Sequence, residues 1–177
     1  MAAATITPSE DIVFDAMWGW VASLFDAPDQ SKVFKGFQNM TATPYDSYVV
    51  VSPGVKVRQN QIQKTYDSVN ELVLVERHTT YSYQVDAYGP NGPDWADIIT
   101  IAWRSMWACD QLEGQSITPL YADEPQQLNF PNGENQFEQR FTGRLFAQVN
   151  QVVALPQNFF TGPTPVQLQI PADYLAP

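Results

Sequence analysis

Apolar and polar positions alternate along two long stretches of this chain and recur at helical spacing along two others. From Leu72 to Tyr88 the odd positions carry Val73, Val75, Tyr81, Tyr83, Val85 and Ala87. From 76 onward the even positions carry Glu76, His78, Thr80, Ser82, Gln84 and Asp86. A period of two over that length predicts one long strand with a buried face and a wet face. A second such run spans about Asn135 to Val153, with Phe137, Phe141, Leu145, Ala147 and Val149 on one side. Its other side carries Gln136, Glu138, Arg140, Thr142, Arg144, Gln148 and Asn150. Shorter strands are predicted over 33–37, over 47–52 with Pro53-Gly54 as the stop, and over Val166–Ile170. The segment "VKVRQNQIQKTYD" alternates only weakly and is either a sheet edge or a projecting loop.

The helical stretches begin with recognisable signals. Thr7-Pro8-Ser9-Glu10 predicts a helix start with Thr7 as the cap, Pro8 in the first turn and Glu10 completing a capping box. Val13, Met17, Trp20, Val21 and Leu24 then form one apolar stripe, ended by Asp26-Ala27-Pro28. Phe14, Trp18 and Phe25 form a second stripe. Either this helix is sunk deep in the domain, or the second stripe meets another subunit. The segment "GPNGP", residues 89–93, predicts a fixed corner in which Gly89 or Gly92 takes a positive φ. Pro93 opens the next helix, with Asp94 and Asp97 at its positive end. Trp95, Ile98, Ile99, Ala102, Trp103, Met106 and Trp107 give it one stripe, and Gly114 gives it a stop. The expected packing sets Trp95, Ile99, Trp103 and Met106 on Tyr83, Val85, Phe141 and Leu145. Asn132-Gly133 reads as a hairpin turn.

These elements define an α+β fold: a mostly antiparallel sheet with two helices packed on one face and a polar second face. The 177 residues, 44% hydrophobic, suit a single domain spanning 1–177, with 161–177 an extended, proline-rich tail.

Charge and composition narrow the function. A formal net charge of −10 with nine scattered basic residues argues against gripping nucleic acid through phosphates. Cys109 is the only cysteine, which excludes an intrachain disulfide and fits a reducing compartment. No basic residue precedes Lys32, and Glu10, Asp11 and Asp15 interrupt the first apolar stretch, so neither a secretory signal nor a membrane span is expected.

Candidate chemistry is sparse. His78, the only histidine, sits on a polar strand face without a Gly-x-Ser-x-Gly elbow anywhere in the chain. Cys109 lies among core positions of a helix, where it packs as a small hydrophobe. The carboxylates show no metal-ligand spacing, and no Gly-rich segment leads into Lys-Ser or Lys-Thr. Trp95, Trp103 and Trp107 fit core packing better than sugar stacking. No catalytic residue, metal or cofactor is assigned. What remains is shape. A long polar sheet face suits the border of a channel or a contact with neighbouring subunits. Its candidates are Glu76, His78, Gln84, Asp86, Glu138, Arg140 and Arg144; those for a subunit interface are Phe14, Trp18 and Phe25.

Several motifs also resemble a known family. "YSYQVDAYGPNGPDWADIIT", "WACD", "PLYADEPQQLNFPNGENQFEQRF" and "NQVVALPQNFF" are similar, in order and spacing, to the neck or tail terminator proteins of long-tailed bacteriophages. The likeness is strongest from Tyr81 to Phe160, looser upstream, and stops there. It implies a structural virion protein without enzymatic activity, forming a closed ring, usually of six copies. Such a ring caps the tail tube, ends its polymerisation and joins it to the head connector, with DNA passing through the lumen. The implied partners are further copies of the chain, the tail tube protein, a connector or stopper protein, and a sheath protein if the tail contracts. Viral DNA would pass without sequence-specific binding, and no membrane is involved. Assembly would take place in the host bacterial cytoplasm. Another ring of the same neck or tail, such as a head-completion or tube protein, is the near alternative. A stand-alone binding module and an enzyme are the remoter ones.

Overall fold

The structure is a computed structural model, which describes residues 3–36, 46–128, 130–131 and 137–157. The elements in chain order are β1 (Thr5–Thr7), α1 (Glu10–Ser23), α2 (Ala27–Gln30), β2 (Val33–Lys35), β3 (Tyr48–Arg58), β4 (Gln63–Asp67), β5 (Leu72–Tyr88), α3 (Gly92–Trp103), α4 (Met106–Gln111), β6 (Ile117–Ala122), β7 (Gln126–Gln127), β8 (Phe130–Pro131), β9 (Phe137–Glu138) and β10 (Arg140–Pro156). The fold is α+β. Its axis is the antiparallel pair of β5 and β10, in register from Tyr88↔Arg140 to Leu72↔Pro156. At ~3.3 Å per residue such a pair is about 55 Å long. β3 and then β4 line the outer side of β5, while β7, β6 and β1 share the outer side of β10. β2 adds to β3 in parallel.

The odd positions of both long strands face the helices. Tyr81, Tyr83, Val85, Ala87, Leu145, Ala147 and Val149 are buried with Val13, Met17, Trp20 and Val21 of α1 and with Trp95, Ile99 and Trp103 of α3 in one core. The expected helix-on-sheet packing is present except at one residue: Met106 is 74% exposed. The stripe breaks because Ser105 is extended, and its hydroxyl donates to the Ala102 carbonyl at 2.6 Å. Serine competes with the backbone ladder in this way, favouring the start of a new helix over continuation of the old. Met106 and Trp107 therefore begin α4 and leave the core line.

Other boundaries differ for equally local reasons. Ser9, not Thr7, caps α1, its Oγ accepting from the Ile12 N–H at 3.4 Å, while Thr7 is drawn into β1 beside Val152. Pro53-Gly54 does not end β3. The strand continues to Arg58 through a register shift between Pro53 and Lys56. Proline has no N–H for the ladder, and Ser82 fills the gap. Its Oγ accepts from the Val55 N–H at 2.8 Å and donates to the Val55 carbonyl at 3.0 Å. The polar segment after it is a sheet edge, β3 turning into β4. β10 begins at Arg140, with Phe137–Glu138 in β9 opposite Phe130–Pro131. The Asn132-Gly133 turn, the Val166–Ile170 strand and the 161–177 tail lie outside the described residues.

The corner after β5 is tight. Gly89 has φ +83°, and a Cβ there would lie 2.9 Å from the Ser47 Cα. Gly92 instead has ordinary helical backbone but faces the Ala87 carbonyl, 3.2 Å from where its Cβ would be. Gly114, at φ +79°, has open space around it. Gly89→Ala should therefore destabilise by about 1–3 kcal/mol, from left-handed strain plus the clash. Gly114→Ala should cost less, since only the strain applies. Urea titrations of the two variants check this; equal losses would remove the clash from the explanation.

Candidate functional site

The second face of the β5–β10 pair gathers the even positions of both strands, and it divides into three parts. Next to the corner, Asp86 is 5% exposed and accepts four hydrogen bonds. The Arg140 guanidinium gives two, Nε to Oδ1 at 3.1 Å and Nη2 to Oδ2 at 3.0 Å. Thr142 Oγ1 donates to Oδ1 at 2.6 Å, and Gln84 Nε2 to Oδ2 at 2.9 Å. Arg140 also lies 5.8 Å from the centroid of the Tyr88 ring, which stacks on Tyr48 at 4.5 Å. A buried carboxylate is tolerable only when so paired. The network is closed on itself, which makes it a structural clasp between the two long strands.

At the far part of the face, His78 Nε2 lies 3.2 Å from Glu76 Oε1, and its Nδ1 lies 3.3 Å from Gln148 Nε2. Gln148 in turn donates to Asn150 Oδ1 at 3.0 Å. Of these contacts on a half-exposed face, His78–Gln148 joins the two strands and the other two run along one strand each. Between the two parts Arg144 is exposed and, among the described residues, forms no ion pair. It borders an open hollow of about 320 Å³ with Gln84, Ser82, Val57 and Phe146, whose ring stacks on Tyr121 at 4.3 Å.

The structure thus brings Gln84, Asp86 and Arg140 together and pairs Glu76 with His78 at a distance from them. It leaves Arg144 without an ion pair among the described residues and places Glu138 in β9, on the separate β8–β9 pair. Thr142, Gln148 and Tyr121 complete the face. The alternation already put Thr142 and Gln148 on this side, but nothing local marked them as partners of Asp86 and His78. Among the described residues no group of three or more His, Cys, Asp or Glu is placed to hold a metal, and no helix is long and apolar enough to cross a membrane.

The second stripe of α1 meets its own chain. Phe14 stacks on Tyr83 at 6.2 Å with 7° between planes. Trp18 donates its indole N–H to the Val33 carbonyl at 3.1 Å, and the Lys35 ammonium lies 5.0 Å from the centroid of its ring. Phe25 is buried against Trp95 at 5.0 Å. Only Phe14 and Trp18 keep an edge at the surface.

The far end of the sheet is uncovered. Every residue from Pro53 to Tyr66 is exposed, and of residues 72–78 only Val73 is buried. Val57, Ile62 and Val69 are 55%, 52% and 88% exposed. The turn at its tip is nevertheless ordered: Asp67 accepts from the Val69 and Asn70 backbone N–H groups and from the Asn70 side chain at 2.7 Å. Those bonds, the Asn70 amide first, hold the Asp67 carboxyl below its ordinary pKa.

The ordered polar groups of this face brace a sheet, and its uncovered parts are surfaces. The sequence pattern of the phage neck terminator protein family matches residues 11–171, and the chain belongs to that family. The match runs past Phe160, where the recognisable motifs stop. No curated protein matches the chain. Membership makes this a structural protein of the bacteriophage neck, working among other tail and head proteins.

Proposed function

We propose that the chain is a ring-forming terminator: one domain of which several copies, most simply six, close into a ring on the end of the tail tube. The ring ends polymerisation of the tube and joins it to the connector or stopper protein of the head, with a sheath protein as a further neighbour in a contractile tail. DNA crosses the lumen without sequence-specific contact. The family match over 11–171 carries this reading. The charge distribution supports it. The clasp neutralises Arg140, and net charge is −10 per chain, so little is left to hold passing phosphates. Residues 76, 78, 84 and 144 are then candidates for the lumen wall, and the surface edges of Phe14 and Trp18 for a subunit contact.

Mixing the purified protein with growing tail tubes tests this. Negative-stain images should show tubes that stop at a ring-shaped cap, and rings one or two layers deep when the protein is alone. Long tubes built from this chain alone would make it a tube subunit instead. Tubes that grow past it unchanged would overturn the terminator reading.

A further inference from the structure

A hollow lies away from the polar face, between the first turn of α1, the register shift of β3 and the helix-facing side of β5. It encloses about 130 Å³ and is lined by Glu10, Asp11, Phe14, Lys56, Tyr81 and Tyr83. One water needs only about 10–15 Å³ of such space, so a small organic group has room there. The rim is charged and the floor aromatic. Glu10, Asp11 and Lys56 are exposed, Phe14 is half-buried, and Tyr81 and Tyr83 are each 2% exposed. The shift between Pro53 and Lys56 sets Lys56 opposite Tyr81, as bulges re-aim side chains. The Lys56 ammonium lies 4.7 Å from the centroid of the Tyr81 ring and 2.5 Å from Glu10 Oε2. A cation held by a carboxylate and a ring face is thus already built in on one side.

Two groups are left over. The Tyr81 hydroxyl is buried and, among the described residues, has no hydrogen-bond partner. A buried hydroxyl is normally satisfied by protein, water or ligand. Asp11 forms no ion pair among the described residues. Burial first, then the neighbouring Tyr81 and Glu10, push the Tyr83 phenol well above its ordinary pKa, so that phenol lies close to both. The charges of Glu10, Asp11 and Lys56 sum to −1. Lys35, whose ammonium lies 5.8 Å from the Phe14 centroid, is paired with Asp15 and adds nothing to that balance. An anion is disfavoured in such a place, and a lone water would leave most of it empty. A guanidinium fits. It lies flat on aromatic rings, and its several N–H donors reach two separate acceptors. An ammonium is a point charge, a role that Lys56 already fills.

We propose that this hollow takes the guanidinium of an arginine side chain presented by a neighbouring tail or head protein, with Asp11 and the Tyr81 hydroxyl as its acceptors and Phe14 and Tyr83 as its aromatic walls. The hollow is complete within one chain, so its binding does not depend on ring formation.

The test titrates full-length protein with N-acetyl-arginine amide and follows the ligand by saturation-transfer NMR, which reads weak binding to a monomer or an assembly alike. Binding should saturate, with transfer strongest on the methylene next to the guanidinium. Tyr81→Phe should weaken it about tenfold, the worth of one hydrogen bond to a charged group. Asp11→Asn should weaken it about two- to fivefold, as for an exposed ion pair. Tyr81→Phe should also unfold at or above the wild-type temperature, because it removes only a hydroxyl that lacks a partner. The corresponding norleucine amide, which is uncharged, should not bind, and the lysine amide should bind more weakly than the arginine amide. No binding by the arginine amide, or equal binding to wild type and Tyr81→Phe, overturns the site. Equal binding by the lysine or norleucine amide overturns the guanidinium assignment. A Tyr81→Phe variant that unfolds below the wild type shows that the hydroxyl already has a partner, and overturns the site as well.

Discussion

Trp103→Ala is expected to remove about 3–5 kcal/mol of folding free energy, the range for deleting a fully buried large aromatic. Trp103 is 1% exposed, sits edge-on to Trp20 at 4.8 Å, and donates its indole N–H to the Phe146 carbonyl. It therefore ties α3 to both α1 and β10. Truncation opens a cavity where three elements meet and leaves that carbonyl without its side-chain donor. For a chain of this size the loss corresponds to a fall of roughly 6–20 °C in unfolding temperature. Met106→Ala is the matched control. It belongs to the same apolar stripe in the sequence, yet at 74% exposure it should change stability by less than about 0.5 kcal/mol. Similar losses from the two variants would mean that the helix does not break at Ser105.

Asp86→Ala should be the second most damaging single change, at about 2–4 kcal/mol. It removes the acceptor of four hydrogen bonds and strands the Arg140 guanidinium on the sheet face. The lower part of the usual range applies because Arg140 keeps 22% of its side chain exposed and can recover some hydration. Replacing both partners, Asp86→Leu with Arg140→Met, should cost less than Asp86→Ala alone, since no buried charge is then left unpaired. Urea unfolding of the three proteins decides it. A double variant less stable than the single one would show that the two side chains do not act as a pair.

Period-two alternation made β5 legible to the residue, because a strand with one buried face must place its apolar side chains every second position. The helix-facing half of the core followed from the same rule. Legibility failed where a single side chain settles a competition that periodicity does not register. Ser105 breaks a helix whose stripe runs on past it. Ser82 lets β3 pass a Pro-Gly pair that reads as a stop. The polar face was seen, but its wetness was overestimated. Thr80, Ser82 and Asp86 are polar yet at most 9% exposed, because long-range partners from β3 and β10 cover them. Those partners are 21 to 56 residues away in the chain. The second stripe of α1 was ambiguous for a related reason: an apolar stripe announces that something covers it, not whose residues do. The segment after Pro53-Gly54 was open between a sheet edge and a projecting loop, because its exposed valines and isoleucine are interleaved with polar residues and make no run; pairing with β5 makes it an edge.

The β5–β10 pair has one further consequence. It is a single continuous ladder, yet one half lies under helices and the other has few buried side chains. Backbone pairing holds both halves, but side-chain burial is thinner in the second, where Val73 and Gln151 are buried and most of their neighbours only half-buried. Opening of that second half therefore requires less free energy than unfolding the whole chain. The folded chain can stay intact while its outer end opens. In the proposed ring, contact with a neighbour would supply the burial that the outer end lacks, and firmness there would then be a property of the assembly rather than of the single chain.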